Sequence, residues 1–211
     1  MKHALMFAAA GCMMSLLALS AFGQSSVTDL PYVKNPDAAA VQKVVTGAPR
    51  PIETIEKETQ AIVDAAAAML DLINTSGLQQ AIDELAKGGN GQFGRYVRDF
   101  PGIQSLQILE ITKVTNGADI DAVKVVGSTL RDYIGSEWID LQKFPDLAGF
   151  IYIAAFNEAV KTYQTAELLH EIVWADPNWA NNAPCRHVTY TKNFTYQGKN
   201  YLVWNSIWLD K

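Results

Sequence analysis

The residue types best suited to chemistry are concentrated in one stretch near the end of the chain, VWADPNWANNAPCRHVTYTKNF, which spans Val173 to Phe194. It contains two tryptophans, one cysteine, one histidine and two basic residues. Such a set could form a metal site, a cysteine nucleophile with a histidine base, or the aromatic wall of a ligand pocket. Each hypothesis requires different partners elsewhere in the sequence.

A metal site or a catalytic cysteine would use Cys185 and His187, with His170 as a further ligand or base. No paired Cys-x-x-Cys or His-Glu-x-x-His pattern supports either site. A small periplasmic hydrolase or zinc-dependent enzyme therefore stays an alternative. The main prediction is a protein that is not an enzyme, with no catalytic residue, no metal site and no cofactor.

A ligand pocket is the third hypothesis. The tryptophans of the stretch offer flat apolar surfaces, while Arg186 and Lys192 offer donors suited to a carboxylate. Strand alternation places Arg186 and Lys192 on one face together with Tyr190, and His187 on the other face. The competing interpretation is that the aromatic side chains only fill a core and that both cations are solvated charges at a sheet edge.

The elements that must position these residues follow an apolar leader. A short basic start at Lys2 precedes an almost wholly apolar run from Ala4 to Phe22, and Gly23 is a small residue of the kind that signal peptidase reads. We predict that residues 1–23 are a signal peptide, which places the protein in the periplasm or outside the cell.

The remaining chain predicts a lead-in segment, residues 24–51, and one domain, residues 52–211. Without the leader the chain has 16 basic and 22 acidic side chains, a balance that lacks the basic surface of a nucleic-acid-binding protein. No further apolar run has the length of a membrane span, so we predict a chain that is not membrane-embedded after cleavage. Cys185 is then the only cysteine, without a disulfide partner in the same chain.

Clear periodicities predict helices and strands at both ends of this domain. Apolar residues recur at three- and four-residue spacings over Ile52 to Thr75 and again over Leu78 to Lys87, which predicts two helices. The alternating, β-branched segment Gln104 to Val114 predicts a strand. Arg186 to Phe194 and Asn200 to Leu209 predict a hairpin around a glycine-containing turn.

The middle of the domain has weaker signals. Asp121 to Ile134 shows a helical spacing that Gly127 weakens, and Gly149 to Ala155 has the composition of a buried strand. Asn157 to Ile172 fits either a helix or a hairpin. The order of elements predicts an α+β fold, with a long N-terminal helix packed on an antiparallel sheet.

Three short segments resemble the end of a single Cache domain, the PAS-like extracytoplasmic sensor module. They are Trp174-Ala175-Asp176-Pro177, Tyr190-Thr191-Lys192-Asn193-Phe194 and Asn205-Ser206-Ile207-Trp208. The long helix is similar to the helix that leads such domains, and Gly149 to Ile153 resembles one of their central strands.

The resemblance implies a free-standing, exported domain with a PAS-like sheet that binds a small organic acid or amino-acid-like ligand. It also leaves room for a homodimer or a membrane sensor as partner. The amphipathic helix suggests one more alternative, in which the chain is an interaction protein that docks a partner through that helix. The expected ligand-binding residues are Arg186, Tyr190 and Lys192 for the anionic end, Trp174 and Trp179 around the apolar part, and Asp176 for any amine.

Overall fold

A seven-stranded sheet with helices on both faces is the framework of the protein in a computed structural model, which describes residues 26–175 and 183–210. The expected signal peptide, residues 1–23, lies outside the described residues. The elements are β1 (Tyr32–Val33), α1 (Ala38–Val44), α2 (Ile52–Ser76), α3 (Leu78–Ala86), α4 (Gly94–Asp99), β2 (Ile103–Thr115), β3 (Asp119–Ser128), β4 (Glu137–Trp138), α5 (Tyr152–Tyr163), β5 (Glu167–Ala175), β6 (Pro184–Tyr196) and β7 (Lys199–Trp208), with 3-10 turns at Val27–Asp29, Gly88–Asn90 and Arg131–Tyr133.

The strands lie in the order β1-β5-β6-β7-β2-β3-β4, and all neighbouring pairs are antiparallel except β1 with β5. Tight turns join β2 to β3 and β6 to β7. In the second of these turns Gln197 and Gly198 both have positive φ, 48° and 79°. Two consecutive left-handed residues match the right-handed twist of a hairpin. The predicted terminal hairpin is therefore confirmed.

Helix α2 covers one face of the sheet with its apolar stripe, in which Ile62, Ala66 and Met69 are fully buried. It begins after Pro51, and Gly77, at φ 91°, ends it. The predicted α+β fold, with a long helix packed on a PAS-like antiparallel sheet, is confirmed. The apolar stripe that the interaction-protein hypothesis would use to dock a partner thus packs against the protein's own sheet.

A buried ion pair fastens the start of α2 to the sheet. The Arg50 guanidinium lies 2.7 Å from the Glu58 carboxylate and also donates to the Trp208 carbonyl at 2.6 Å. The other Glu58 oxygen accepts the Gly102 backbone N–H at 2.9 Å. Because a Cβ on Gly102 would overlap both charged side chains, this position has room only for glycine.

The helical spacing within Asp121 to Ile134 is misleading, because this segment supplies most of strand β3 and then a 3-10 turn. The turn at Asn116 and Gly117, both at positive φ, makes β3 the antiparallel partner of β2. Gly127 has a packing role in this strand, since an added Cβ would lie 3.2–3.3 Å from atoms of α3. The absent side chain lets α3 approach the sheet closely.

The segment Gly149 to Ala155, predicted as a buried strand, is instead a loop and the first turn of helix α5. Its spacing continues into Phe156 and Ala159, which are buried with Ile153 in a second core on the sheet face opposite α2. The segment Asn157 to Ile172, for which the sequence allowed a helix or a hairpin, forms the rest of α5 and then most of β5.

Among the described residues, no helix is both long and apolar enough to cross a bilayer.

Candidate functional site: a cavity on the sheet face opposite helix α2

A cavity of about 370 Å³ lies on the sheet face that points away from α2. Strand β7 shows how alternation separates the two faces. Asn205 points toward α2 and donates its amide to the Ile62 carbonyl at 2.9 Å, whereas its neighbours Trp204 and Ser206 line the cavity. The volume falls within the range of small-molecule sites in proteins. We call this space the sheet-face cavity.

The sheet provides the floor of the cavity and residues 129–152, here called the roof segment, provide its cover. The floor combines aromatic and aliphatic groups with uncharged polar groups, whereas the roof is largely aromatic and aliphatic. The floor residues are Gln104, Ser105, Gln107, Ile172, Trp174, His187, Trp204 and Ser206, and the roof residues are Tyr133, Glu137, Trp138, Ile139, Leu141, Phe144, Pro145 and Tyr152.

Hydrogen bonds fasten the roof segment to the sheet, including contacts to β3 and to β5. On one side the Leu141 backbone N–H donates to the Asp121 carbonyl of β3 at 2.9 Å. On the other side the buried Asp146 carboxylate accepts the Val173 backbone N–H of β5 at 2.8 Å, and the N–H groups of Ala148 and Phe150 at 2.9 Å. Three donors on one carboxylate satisfy its lone pairs, so Asp146 acts as the anchor of the roof on β5.

Aromatic rings meet at steep angles inside the cavity. Trp138 of the roof stands at 71° to Trp204 of the floor, with ring centroids 6.0 Å apart. Tyr152 stands at 69° to the same indole at 6.2 Å. Edge-to-face contacts of this kind are favourable between aromatic rings, and they leave ring faces of differing orientation around the space. A flat ligand can therefore stack on one ring while its edge meets another.

His187 is a buried polar group without satisfied hydrogen bonds. Its side chain lines the cavity and lies against the Trp208 ring, with centroids 3.7 Å apart. Neither ring nitrogen has a hydrogen-bond partner of normal geometry. Burial lowers the pKa of His187 to about 3, against a smaller opposing effect of the Trp174 backbone, so the imidazole is neutral. A neutral imidazole offers one donor and one acceptor, and leaving them unused costs about 1–3 kcal/mol each.

His170 and Tyr152 extend this uncharged environment. The Nε2 atom of His170 lies 2.9 Å from the Thr191 hydroxyl, and burial lowers the pKa of His170 to about 3. Burial and the nearby Asp146 carboxylate raise the pKa of Tyr152 to about 12. Both groups are therefore uncharged at neutral pH, and the phenol of Tyr152 keeps its proton.

Two of the sequence-predicted binding residues are brought together by a shared carboxylate on the other face of the sheet. The Lys192 ammonium lies 2.9 Å from Glu167, and the Tyr190 hydroxyl donates to the same carboxylate. Arg186, also on that face, makes a two-pronged contact with the buried Asp210, at 2.6 and 2.9 Å. These three side chains line no part of the sheet-face cavity.

Of the two tryptophans predicted to enclose the ligand, the structure describes only Trp174. Trp174 lines the cavity and is 45% exposed, which places it at the mouth. Asp176 and Trp179 lie outside the described residues. Ile139 and Phe144 of the roof are also exposed near Trp174, so the mouth has an apolar rim. Such exposed apolar patches often mark binding sites.

The thiol of the enzyme alternative is buried and not activated. The Cys185 side chain is buried, and burial together with the Asp210 charge raises the pKa of its thiol. A raised pKa opposes formation of the thiolate that a nucleophile requires. Within residues 26–175 and 183–210, no three histidine, cysteine or acidic side chains cluster as metal ligands do.

Comparison with known proteins yields structural matches only, because no family model and no curated protein sequence matches the chain. One solved structure concerns carboxylic acid recognition by a Cache chemosensory domain; it is 16% identical, with a TM-score of 0.41. Another is a periplasmic sensor domain of a chemotaxis protein, 12% identical with a TM-score of 0.37. Each alignment covers 75% of this chain and 92% of the other chain. Both are sensor domains. Likeness at this level says nothing about what the present cavity binds.

Sequence reasoning missed most of the groups that line the cavity. His187 was considered only as a metal ligand or base, although alternation had placed it opposite Arg186. The alternation of β7 gives a similar signal for Trp204 and Ser206, which share a face. The roof residue Trp138 had no usable signal, because β4 has only two residues.

Proposed function

We propose that the protein is a small-molecule-binding domain of the sensor type, exported from the cytoplasm, whose ligand occupies the sheet-face cavity. The observation that carries the proposal is a ligand-sized cavity whose buried lining residue His187 has no hydrogen-bond partner of normal geometry at either ring nitrogen. Buried polar groups are nearly always hydrogen-bonded in proteins. A bound molecule that supplies the missing partners fits both the volume and the chemistry of this space.

The site geometry also supports a binding role for Trp174, the one sequence-predicted ligand residue that lines the described cavity. The proposal moves the polar contacts from Arg186, Tyr190 and Lys192 to the neutral groups of the floor. Arg186 and Lys192 are ion-paired with Asp210 and Glu167, so a ligand would have to displace those carboxylates first.

A thermal-shift screen of the purified protein against small metabolites tests the binding function. A ligand at a hundred times its dissociation constant stabilises the folded state by about 2.7 kcal/mol, which raises the melting temperature by about 5–10 °C in a domain of this size. Trp138→Ala, which removes a roof ring, should reduce the shift. Tyr163→Ala is the matched control, because this exposed ring lies at the far end of α5 and outside the cavity.

The result that contradicts the proposal is a ligand-dependent shift that is equal in Trp138→Ala, Tyr163→Ala and the unmodified protein, or no shift with any compound. Export has a separate test. Sequencing the N-terminus of the protein recovered from outside the cytoplasm should show Gln24 as the first residue, and an intact leader would contradict the proposed cleavage.

A further inference from the structure

We infer that the ligand of the sheet-face cavity is an uncharged heteroaromatic molecule, a flat ring system whose edge carries both a hydrogen-bond donor and an acceptor. The inference rests on the ligand-binding function proposed above and names the chemical class that the cavity selects. It is carried by the charge of the lining, by His187 and its polar neighbours, and by the aromatic rings.

The described part of the lining disfavours anions because it provides no positive charge. Among the described residues, no lysine or arginine lines the cavity, and its single charged group is Glu137, whose side chain is 59% exposed. A carboxylate ligand would lose its water shell here without gaining a counter-charge, which is strongly unfavourable.

The polar part of the floor is neutral and offers donors and acceptors side by side. His187 contributes a donor and an acceptor on one ring, neither with a hydrogen-bond partner of normal geometry. Ser105 and Ser206 are register neighbours on β2 and β7 and add two hydroxyl groups, of which that of Ser206 also lies 3.1 Å from the Thr189 hydroxyl. Gln107 adds an amide, whose nitrogen donates to Ser128 in a long contact of 3.4 Å and whose oxygen can accept from a ligand. A ligand edge with alternating ring nitrogens, amide or amino groups pairs with such a set without carrying a charge.

The aromatic part of the cavity favours a flat molecule over an aliphatic one of equal size. Trp138 and Tyr152 each stand steeply on Trp204, so a planar ring can lie against one face and present its edge to another. A permanent cation would also be attracted to these rings. Among the described lining residues its only counter-charge would be Glu137, which is exposed and already lies 3.7 Å from the Lys124 ammonium.

A matched set of probes separates the ligand classes by charge and planarity at constant size. Nicotinamide is neutral and aromatic, nicotinate is its anion-forming analogue, and 1-methylnicotinamide is its permanent cation. Benzamide and cyclohexanecarboxamide, a neutral pair without a ring nitrogen, differ only in whether the ring is flat or saturated. The same comparison is repeated with purine and indole pairs that differ by one carboxylate. Binding to the full purified protein is measured by titration calorimetry and by tryptophan fluorescence at millimolar concentrations.

We expect at least one neutral aromatic probe to bind about tenfold or more tightly than its anionic and saturated analogues. His187→Phe keeps a flat ring but removes both nitrogens, and it should weaken that binding by about tenfold. His187→Gln restores a neutral donor and acceptor and should recover part of the affinity. A cooperative thermal melt of His187→Phe itself shows that its loss of binding does not come from a failure to fold.

Three outcomes overturn the inference. Tighter binding of nicotinate or another carboxylate, lost in Trp138→Ala, would reject the uncharged class while the sheet-face cavity stays the ligand site. Tightest binding of 1-methylnicotinamide would assign the cavity to a cation. If no heteroaromatic probe binds in any charge state while a metabolite screen finds a cavity ligand of another kind, the class is wrong. Binding that is indifferent to Trp138→Ala rejects the proposed function itself.

Discussion

Mild acidification should destabilise this protein through its two buried histidines. His170 and His187 are the only histidines after the expected leader, and burial lowers the pKa of each from 6.5 to about 3. The unfolded chain therefore takes up protons below about pH 6.5 that the folded chain does not accept. Stability must fall as the pH decreases from about 6.5 toward 3, because protonation favours the unfolded state.

The size of this effect follows from proton linkage. Between pH 7 and pH 5.5, each histidine with these pKa values removes about 1.3 kcal/mol from the free energy of unfolding, and the pair removes about 2.5 kcal/mol. Most carboxylates stay ionised in this interval, so the histidines dominate the change. The loss is a large fraction of the 5–15 kcal/mol by which most domains are stable.

Urea unfolding at pH 7.0, 6.0 and 5.5, followed by tryptophan fluorescence, measures the effect. His187→Gln should unfold with about half the pH dependence of the unmodified protein, since one of the two linked groups is gone. A free energy of unfolding that stays constant over this interval would refute the reasoning. It would mean that the imidazoles reach solvent and titrate normally in the folded protein.

Three further changes test particular contacts. Gly102→Ala should lower the free energy of unfolding by about 1–3 kcal/mol in urea titrations, because the new methyl group overlaps a buried ion pair; Gly89→Ala, with no atom near its Cβ, is the control. Arg186→Ala leaves the buried Asp210 carboxylate without its cation and should cost about 3–5 kcal/mol, yet ligand affinity of the still-folded protein should not change. Asp146→Ala removes the roof anchor, so hydrogen exchange should accelerate at residues 147–150 and ligand binding should weaken; unchanged exchange would contradict the anchoring role.

Local sequence patterns were sufficient to predict an element where the spacing of its buried residues alone identifies it as a helix or a strand. The stripe of α2 and the alternation of β6 needed no knowledge of distant residues, so the α+β fold and the two faces of β6 could be predicted. Strand β3 could not, because its pairing depends on the turn at Asn116 and on the approach of α3 over Gly127. Helix α5 had a detectable signal in Ile153, Phe156 and Ala159, which the β-rich composition of its start obscured.

The side of the sheet that holds the cavity was not contained in local sequence. Alternation placed Arg186 and His187 on opposite faces, but it does not say which face is packed and which is hollow. That choice depends on the roof segment, which is held by Asp146 to Val173 across 27 positions of sequence. The sequence-based prediction chose Arg186 because a cation suits a carboxylate ligand. The described cavity is instead lined largely by neutral groups.

The position of β7 in the sheet has a consequence for the order in which the chain can fold. It comes last in chain order among the seven described strands, yet it lies between β6 and β2 and so joins the two halves of the sheet. Until it is made, β2 and β6 each have an open edge, and Arg50 lacks its acceptor at Trp208. A growing chain therefore cannot complete this sheet before β7 emerges, so the sheet cannot fold stably from its earlier strands alone.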